Sequence, residues 1–261
     1  MIPELHLGPL TLQTFGLMFA LSFIAAGAIV ARRLVEMRLP ADWAYEMGFA
    51  ALVGGIVGAR LLYVVEHTDL LAADPLGTLF GGTGLTFYGG LVGGIVAVGF
   101  LLWRKGQLTL PMADAIAPSL AVAYAVGRIG CQLSGDGDYG IPWDGPWAMA
   151  YPEGTVATTV PVHPTPIYET LAMVTVGWAL WMLRDRVRPG TVFALYLMLA
   201  GAERLAVEFI RRNDEVLLGL TVAQLQSVGM LVAGAVMLVI VRRRSDPVEV
   251  PVGAAGPHPA R

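Results

Sequence analysis

The run Pro111–Gly140, PMADAIAPSLAVAYAVGRIGCQLSGDGDYG, changes character at one residue. Ala115 to Gly127 carry no charge, and Arg128 then opens a stretch rich in Gly, Ser and Asp. An arginine in hydrocarbon costs about 2.5–3.5 kcal/mol near the bilayer centre on insertion scales, so it needs a partner or a polar cavity. A cation followed by a polar loop at membrane depth suits an anionic ligand, and the abundant anion at that depth is a phospholipid headgroup. This stretch predicts a crossing helix that ends at an anion site.

The rest of the chain agrees with a membrane setting. Of its 261 residues 56% are hydrophobic and only 14% are charged, against roughly 25% charged in soluble domains. The net charge of −3 leaves no basic face for nucleic acid. One cysteine, Cys131, excludes an internal disulfide and a multi-cysteine metal site. The N-terminus MIPELHLGPL lacks a basic n-region, so the first apolar segment is expected to stay in the mature protein.

A crossing needs about 20 mostly apolar residues. Seven stretches qualify, at about 12–31, 44–65, 88–103, 111–127, 166–183, 191–210 and 221–241, so the fold class is an all-α polytopic membrane protein. Glycine clusters at Gly54, Gly55 and Gly58 and at Gly89, Gly90, Gly93 and Gly94 predict close helix contact. No internal repeat is found, which argues against an inverted-repeat transporter. Asp136, Asp138 and Asp144 lie in a loop rather than along a helix, which argues against a metal-dependent alcohol-phosphate synthase. Residues 1–244 read as one domain with an external loop at 129–165, and 245–261 as a disordered cytoplasmic tail.

Charge sets the orientation. Arg32, Arg33, Arg38, Arg104, Lys105, Arg184, Arg186, Arg188, Arg242, Arg243 and Arg244 follow alternate spans, and they are 11 of the 17 basic residues. The opposite connections, 66–87 and 129–165, contain none. The positive-inside rule then places the N-terminus outside and the C-terminus in the cytoplasm. Arg60, Arg128, Arg204, Arg211 and Arg212 fall instead at the outer ends of spans, at one level, which favours a functional anion site. Arg204 and Glu208, four apart, share a helical face. Glu203 lies beside Arg204 on a neighbouring face, and Arg211 and Arg212 are expected to snorkel at the interface.

Six motifs in order resemble the prolipoprotein diacylglyceryl transferase family, over about 12–240. They are QTFGLMFALSF at Gln13–Phe23, GARLLYVVEH at Gly58–His67, TGLTFYGGLVGG at Thr83–Gly94, GRIGCQLSGDGDYG at Gly127–Gly140, VHPTPIYE at Val162–Glu169 and ERLAVEFIRRND at Glu203–Asp214. The resemblance implies transfer of a diacylglyceryl group from phosphatidylglycerol to the lipobox cysteine thiol of a preprolipoprotein, in the bacterial inner membrane, without metal or cofactor. It implies catalytic roles for Arg128, Arg204, Glu208, Asp136 and Tyr88. It implies substrate contacts for Arg128, Arg204, Arg60, Ser134, Gly140 and His163. His163, Tyr168 and Glu169 are retained motif residues.

The chain also departs from the pattern. The third-span histidine is Tyr88, the first-span tyrosine is Phe15, and the signature's two asparagines are Cys131 and Ser134. Its glutamate is Asp136, with one extra residue before Gly140. A tyrosine with an ordinary pKa near 10 is a poor base at neutral pH, though it donates a hydrogen bond. Two readings remain open: an enzyme whose polar shell has shifted together, with Asp136, Asp138, Tyr139 or His163 handling the proton, or a relative that keeps the lipid site but modifies another acceptor or none.

Overall fold

A computed structural model describes residues 1–81, 86–217 and 219–243. Thr83, Gly84 and Leu85 of the third-span motif lie outside them, as do Arg244 and the tail expected over 245–261. The order is β1 (Glu4–Leu7), β2 (Leu10–Gln13), α1 (Thr14–Glu36), α2 (Trp43–Glu66), α3 (Thr68–Ala73), α4 (Pro75–Phe80), α5 (Phe87–Arg104) and α6 (Leu110–Ser134). There follow β3 (Met149–Tyr151), β4 (Thr158–Val162), α7 (Thr165–Leu183), α8 (Thr191–Glu208), β5 (Glu215–Leu217), β6 (Leu220–Thr221) and α9 (Val222–Arg243). The strands pair as antiparallel hairpins, β1 with β2, β3 with β4 and β5 with β6, and Val162 of β4 also bridges to Pro142.

Among the described residues six helices, α1, α2, α5, α6, α7 and α9, are long and apolar enough to cross a membrane. The stretch expected as a crossing at 191–210 is the 18-residue helix α8, set apart by Glu203, Arg204 and Glu208 within its length. The protein is thus a polytopic helical membrane protein, with three small hairpins that apolar periodicity alone does not announce.

Two compact units form, Gly27–Met112 and Met1–Ala26 with Ala113 onward. In the first, α2 and α5 meet through glycine. A Cβ on Gly58 would lie 2.7 Å from the Gly93 Cα, and one on Gly93 would lie 2.8 Å from the Gly58 Cα. Only hydrogen at these positions lets the two backbones approach, which is how helices associate where lipid supplies no hydrophobic drive. At one end of the pair Lys105 reaches Glu46 at 2.7 Å and lies 4.6 Å over the Trp43 ring.

In the second unit, α6 does not stop at Gly127 but runs two turns further to Ser134. Nothing in GRIGCQLS breaks a helix, and Gly135, at φ 59°, ends it by adopting the left-handed conformation open to glycine, its N–H bonding to the Cys131 carbonyl at 2.9 Å. The connection expected to begin at 129 therefore begins at 135. The N-terminal hairpin is tied to this helix end by the Ile2 N–H, which donates to the Leu133 carbonyl at 2.9 Å. α8 is fixed at its other end. The buried Asp114 of α6 accepts from the N–H groups of Gly190 (2.6 Å) and Phe193 (2.7 Å), which satisfies donors left open at the start of α8. α8 and α9 then close on small residues, since a Cβ on Gly201 would sit 2.9 Å from the Ser227 carbonyl oxygen.

Candidate functional site

The three helices held this way bring charge together. α6 carries Tyr124 and Arg128, α7 carries Glu169, and α8 carries Arg204 and Glu208 (each pair on one helix four residues apart). Arg128 pairs with Glu169 through Nε and with Asp138 through Nη1, and its Nη2 donates to the Tyr124 hydroxyl at 3.1 Å. Arg204 reaches Glu169 at 3.1 Å and Glu208 at 3.0 Å. Arg211, just past α8, pairs with Asp138 and lies 3.6 Å from Glu169. Three guanidiniums thus share three carboxylates. The Glu169 and Glu208 side chains are 0% exposed, and those of Arg211, Arg128 and Arg204 are 8%, 14% and 20% exposed.

Burying this many ions requires that their hydrogen-bonding capacity be met. Glu208 shows how: besides Arg204, its Oε1 accepts from the Thr221 hydroxyl at 2.6 Å and from Asn213 Nδ2 at 2.8 Å. Asp138 is the loop's contribution. Burial would raise its carboxyl, but the guanidiniums of Arg128 and Arg211 outweigh that and hold it below the usual carboxylate range. Among the described residues four buried side-chain atoms make no hydrogen bond, and of these Glu169 Oε2 and Glu208 Oε2 are held in ion pairs with arginine. The other two are Arg211 Nη1 and Glu203 Oε1.

The connection after α6 is built to hold Asp138 in place. The Asp138 carbonyl accepts from the Thr165 hydroxyl at 2.5 Å, and the Gly140 N–H donates to the His163 carbonyl at 2.8 Å. A Cβ on Gly140 would lie 2.9 Å from His163 Cβ and overlap the Ile210 carbonyl, so this glycine is where three segments converge. Tyr139 and Tyr151 stack at 4.8 Å beneath, and Arg212 lies 4.8 Å over the Tyr139 ring. Burial pushes the Tyr151 phenol up to about 12, so it stays protonated and donates to Gln132 Oε1 at 3.0 Å.

Of the residues singled out in the sequence, Arg128, Arg204 and Glu208 come together in this network. Asp136 lies next to it, its Oδ1 accepting from the Asp138 N–H at 3.3 Å. Ser134 turns to its own helix, donating to the Cys131 carbonyl at 3.3 Å. His163 stacks on Trp143 at 4.3 Å and meets the Tyr168 hydroxyl at 3.3 Å, which also accepts from Trp147 Nε1 at 2.7 Å. Arg60 and Tyr88 belong to the other unit. There Arg60 donates to the carbonyls of Thr78, at 3.3 Å, and Gly81, and Tyr88 stands edge-on to Phe87 at 5.4 Å.

The placement of Arg211 overturns one expectation. It does not snorkel at an interface but enters the network, because the chain turns back after Phe209 and both Asp138 and Glu169 lie within its reach. Its spacing of seven from Arg204 repeats one helical face and was the available signal. Glu169 was legible as a motif residue but not as the hub of three arginines. Tyr124 gave no signal beyond an aromatic in a span.

The family model for prolipoprotein diacylglyceryl transferase matches residues 4–240. The chain is 32% identical over 254 residues to a protein of Bordetella avium named phosphatidylglycerol–prolipoprotein diacylglyceryl transferase, covering 93% of this chain and 95% of that protein. It is 31% identical over 283 residues to the protein of that name from Burkholderia thailandensis, covering 92% and 94%. For the Clostridium tetani protein of that name the figures are 31% over 204 residues, 77% and 82%.

Proposed function

The chain belongs to the prolipoprotein diacylglyceryl transferase family, and from that premise we propose that it moves the sn-1,2-diacylglyceryl group of phosphatidylglycerol onto the lipobox cysteine thiol of a preprolipoprotein. A thioether forms and glycerol 1-phosphate leaves. The observation that carries this reading is the buried network of Arg128, Arg204 and Arg211 on Glu169, Glu208 and Asp138.

The reaction's difficulty is its leaving group, a phosphate that must take an electron pair. Guanidiniums fixed in advance in a water-poor site stabilise the charge as it develops, without reorganising. Carboxylates do the fixing: Glu208 holds Arg204, and Asp138 and Glu169 hold Arg128. Arg204 commits Nη1 and Nη2 to carboxylates, which leaves it further donors of the five a guanidinium carries. Arg211 Nη1, which makes no hydrogen bond and lies 3.6 Å from Glu169, is a third donor for a phosphate oxygen. Asp138, which contacts two of the arginines, is a stronger candidate for the signature's acidic role than Asp136. Ser134, Gly140 and His163 support the loop that presents Asp138, and the roles implied for Tyr88 and Arg60 rest on the resemblance alone. The arginine sidedness supports seven crossings, α8 among them, with the N-terminus outside and the C-terminus in the cytoplasm of a bacterial plasma membrane, and 1–244 as one transferase domain.

Tyr88 and Phe15, where the family has histidine and tyrosine, favour a second reading, a relative that holds the lipid but serves another acceptor or none. One experiment separates them. A lipobox peptide incubated with the purified protein in phosphatidylglycerol nanodiscs is weighed by mass spectrometry. Transfer is expected as a cysteine-dependent gain of one diacylglyceryl group, at least about 100-fold slower in Arg128→Ala. Bound phosphatidylglycerol without any gain would establish the second reading.

A further inference from the structure

Among α6, α7 and α8 one acid is left unused. Glu203 sits on α8 beside Arg204, half-buried, and among the described residues it makes no hydrogen bond or ion pair. Its Oε1 is fully shielded from solvent without a partner. Glu169, Glu208 and Asp138 are all committed to guanidiniums, three against three. A buried carboxyl oxygen without a partner is costly unless something else uses it.

Its surroundings define what that use is. The charged groups that act on Glu203 are Glu169 from α7, Arg128 from α6, Arg204 from its own helix and Arg211 from the turn that follows. Tyr124 of α6 feels Glu203 in turn. The carboxyl therefore stands within the field of the guanidiniums assigned to the phosphate, but is not bound by them. The transferase reading also leaves the base unassigned. The acceptor must react as thiolate, the third-span residue is Tyr88, and His163 is engaged with Trp143 and Tyr168.

We propose that Glu203 accepts the proton of the acceptor thiol, an inference that rests on the transferase reading above. The S–H bond breaks and its proton passes to a Glu203 carboxylate oxygen. The freed sulfur pair forms the C–S bond to the lipid's glyceryl carbon as that carbon's bond to the phosphate oxygen breaks. The bond pair leaves on the phosphate, held by Arg128, Arg204 and Arg211, and the proton on Glu203 then goes to the departing glycerol phosphate or to water. No oxidant, metal or further reactant is needed.

The test uses the full chain in phosphatidylglycerol nanodiscs with two acceptor peptides, one bearing the lipobox cysteine and one bearing selenocysteine at that position. A selenol is already ionised at neutral pH and needs no base. With the cysteine peptide, Glu203→Gln should lower kcat about 100-fold at pH 7, in the range of a lost general base, with KM for phosphatidylglycerol unchanged. Its rate should climb with pH as the thiol ionises unaided toward its own pKa of about 8.5. With the selenocysteine peptide the variant should match the wild type within about 3-fold. A Glu203→Gln variant as fast as the wild type on cysteine, or equally impaired on both peptides, overturns the assignment, the second result marking a structural role. An inert wild-type chain overturns the transferase reading and the inference with it, whereas an active wild type with an unaffected variant overturns the inference alone.

Discussion

Between α2 and α5 the backbones meet on glycine, with Gly58 and Gly93 packed so that neither tolerates a Cβ. Among α6, α7 and α8 an apolar contact of Ala121, Ala125, Met173 and Ala200 is joined by four charged side chains, Arg128, Glu169, Arg204 and Glu208, with Asp138 and Arg211 reaching in from the segments that follow α6 and α8. Both arrangements join helices where water supplies no drive, but they place strain differently. The glycine contact is cheap and mute: it can hold helices and do nothing else. The ionic contact is expensive and reactive, because every charge must be matched and any new anion competes for the same donors. An interface that costs this much desolvation is better explained by what it binds than by the stability it adds.

The ionic contact is most vulnerable at its hub. Glu169→Gln leaves Arg128, Arg204 and Arg211 sharing two carboxylates, and losing a partner from a buried ionic network costs about 3–5 kcal/mol. The largest drop in thermal midpoint should therefore come from this one-atom change, read by following unfolding of the purified protein in nanodiscs. A midpoint within error of the wild type would show that the network is not a closed charge balance. Next in size is Gly93→Leu, which drives a side chain into the Gly58 backbone and should cost about 1–3 kcal/mol by overpacking. It should lower the midpoint while the Arg128-dependent transfer chemistry survives at permissive temperature, since the ionic face belongs to the other unit.

The smallest effect sharpens the electrostatics. The folded-state pKa of Asp138 is depressed by Arg128 and Arg211, so its contribution to stability is present above the unfolded value of about 3.9 and is lost as pH falls through the lower folded value. Asp138 is about a third exposed, so solvent discounts the term. Asp138→Asn should lower the midpoint modestly at pH 7, and the gap to the wild type should close on acidification below about pH 4. A gap that stays constant with pH would assign Asp138 a hydrogen-bonding role without charge.

The two regions differ as well in how far the sequence discloses them. Helix–helix contact through Gly54, Gly58, Gly89 and Gly93 is visible in the spacing, because the requirement is local to each helix. Arg128, Arg204 and Glu208 are visible because a charge in an apolar run is costly wherever it falls. Their partners are less so. Asp114 caps α8 across 76 positions of sequence, and no periodicity links residues that far apart. Asp138 sits two residues past the signature's acidic position, so only the folded loop distinguishes it from Asp136. Arg211 follows the end of a helix, where an arginine ordinarily reaches water, and its burial depends on the turn that carries it back. Helix α6 outran its expected end because composition changed at Arg128 while helical geometry did not.

The fate of the lipid reports on what the arginine network serves. Wild-type protein in phosphatidylglycerol nanodiscs, given a lipobox peptide, should release glycerol 1-phosphate in amounts equimolar with the diacylglyceryl thioether peptide, both quantified from one reaction by mass spectrometry. Thioether without glycerol 1-phosphate, or no thioether while phosphatidylglycerol remains bound, would contradict the claim that this arginine network serves a phosphate leaving group.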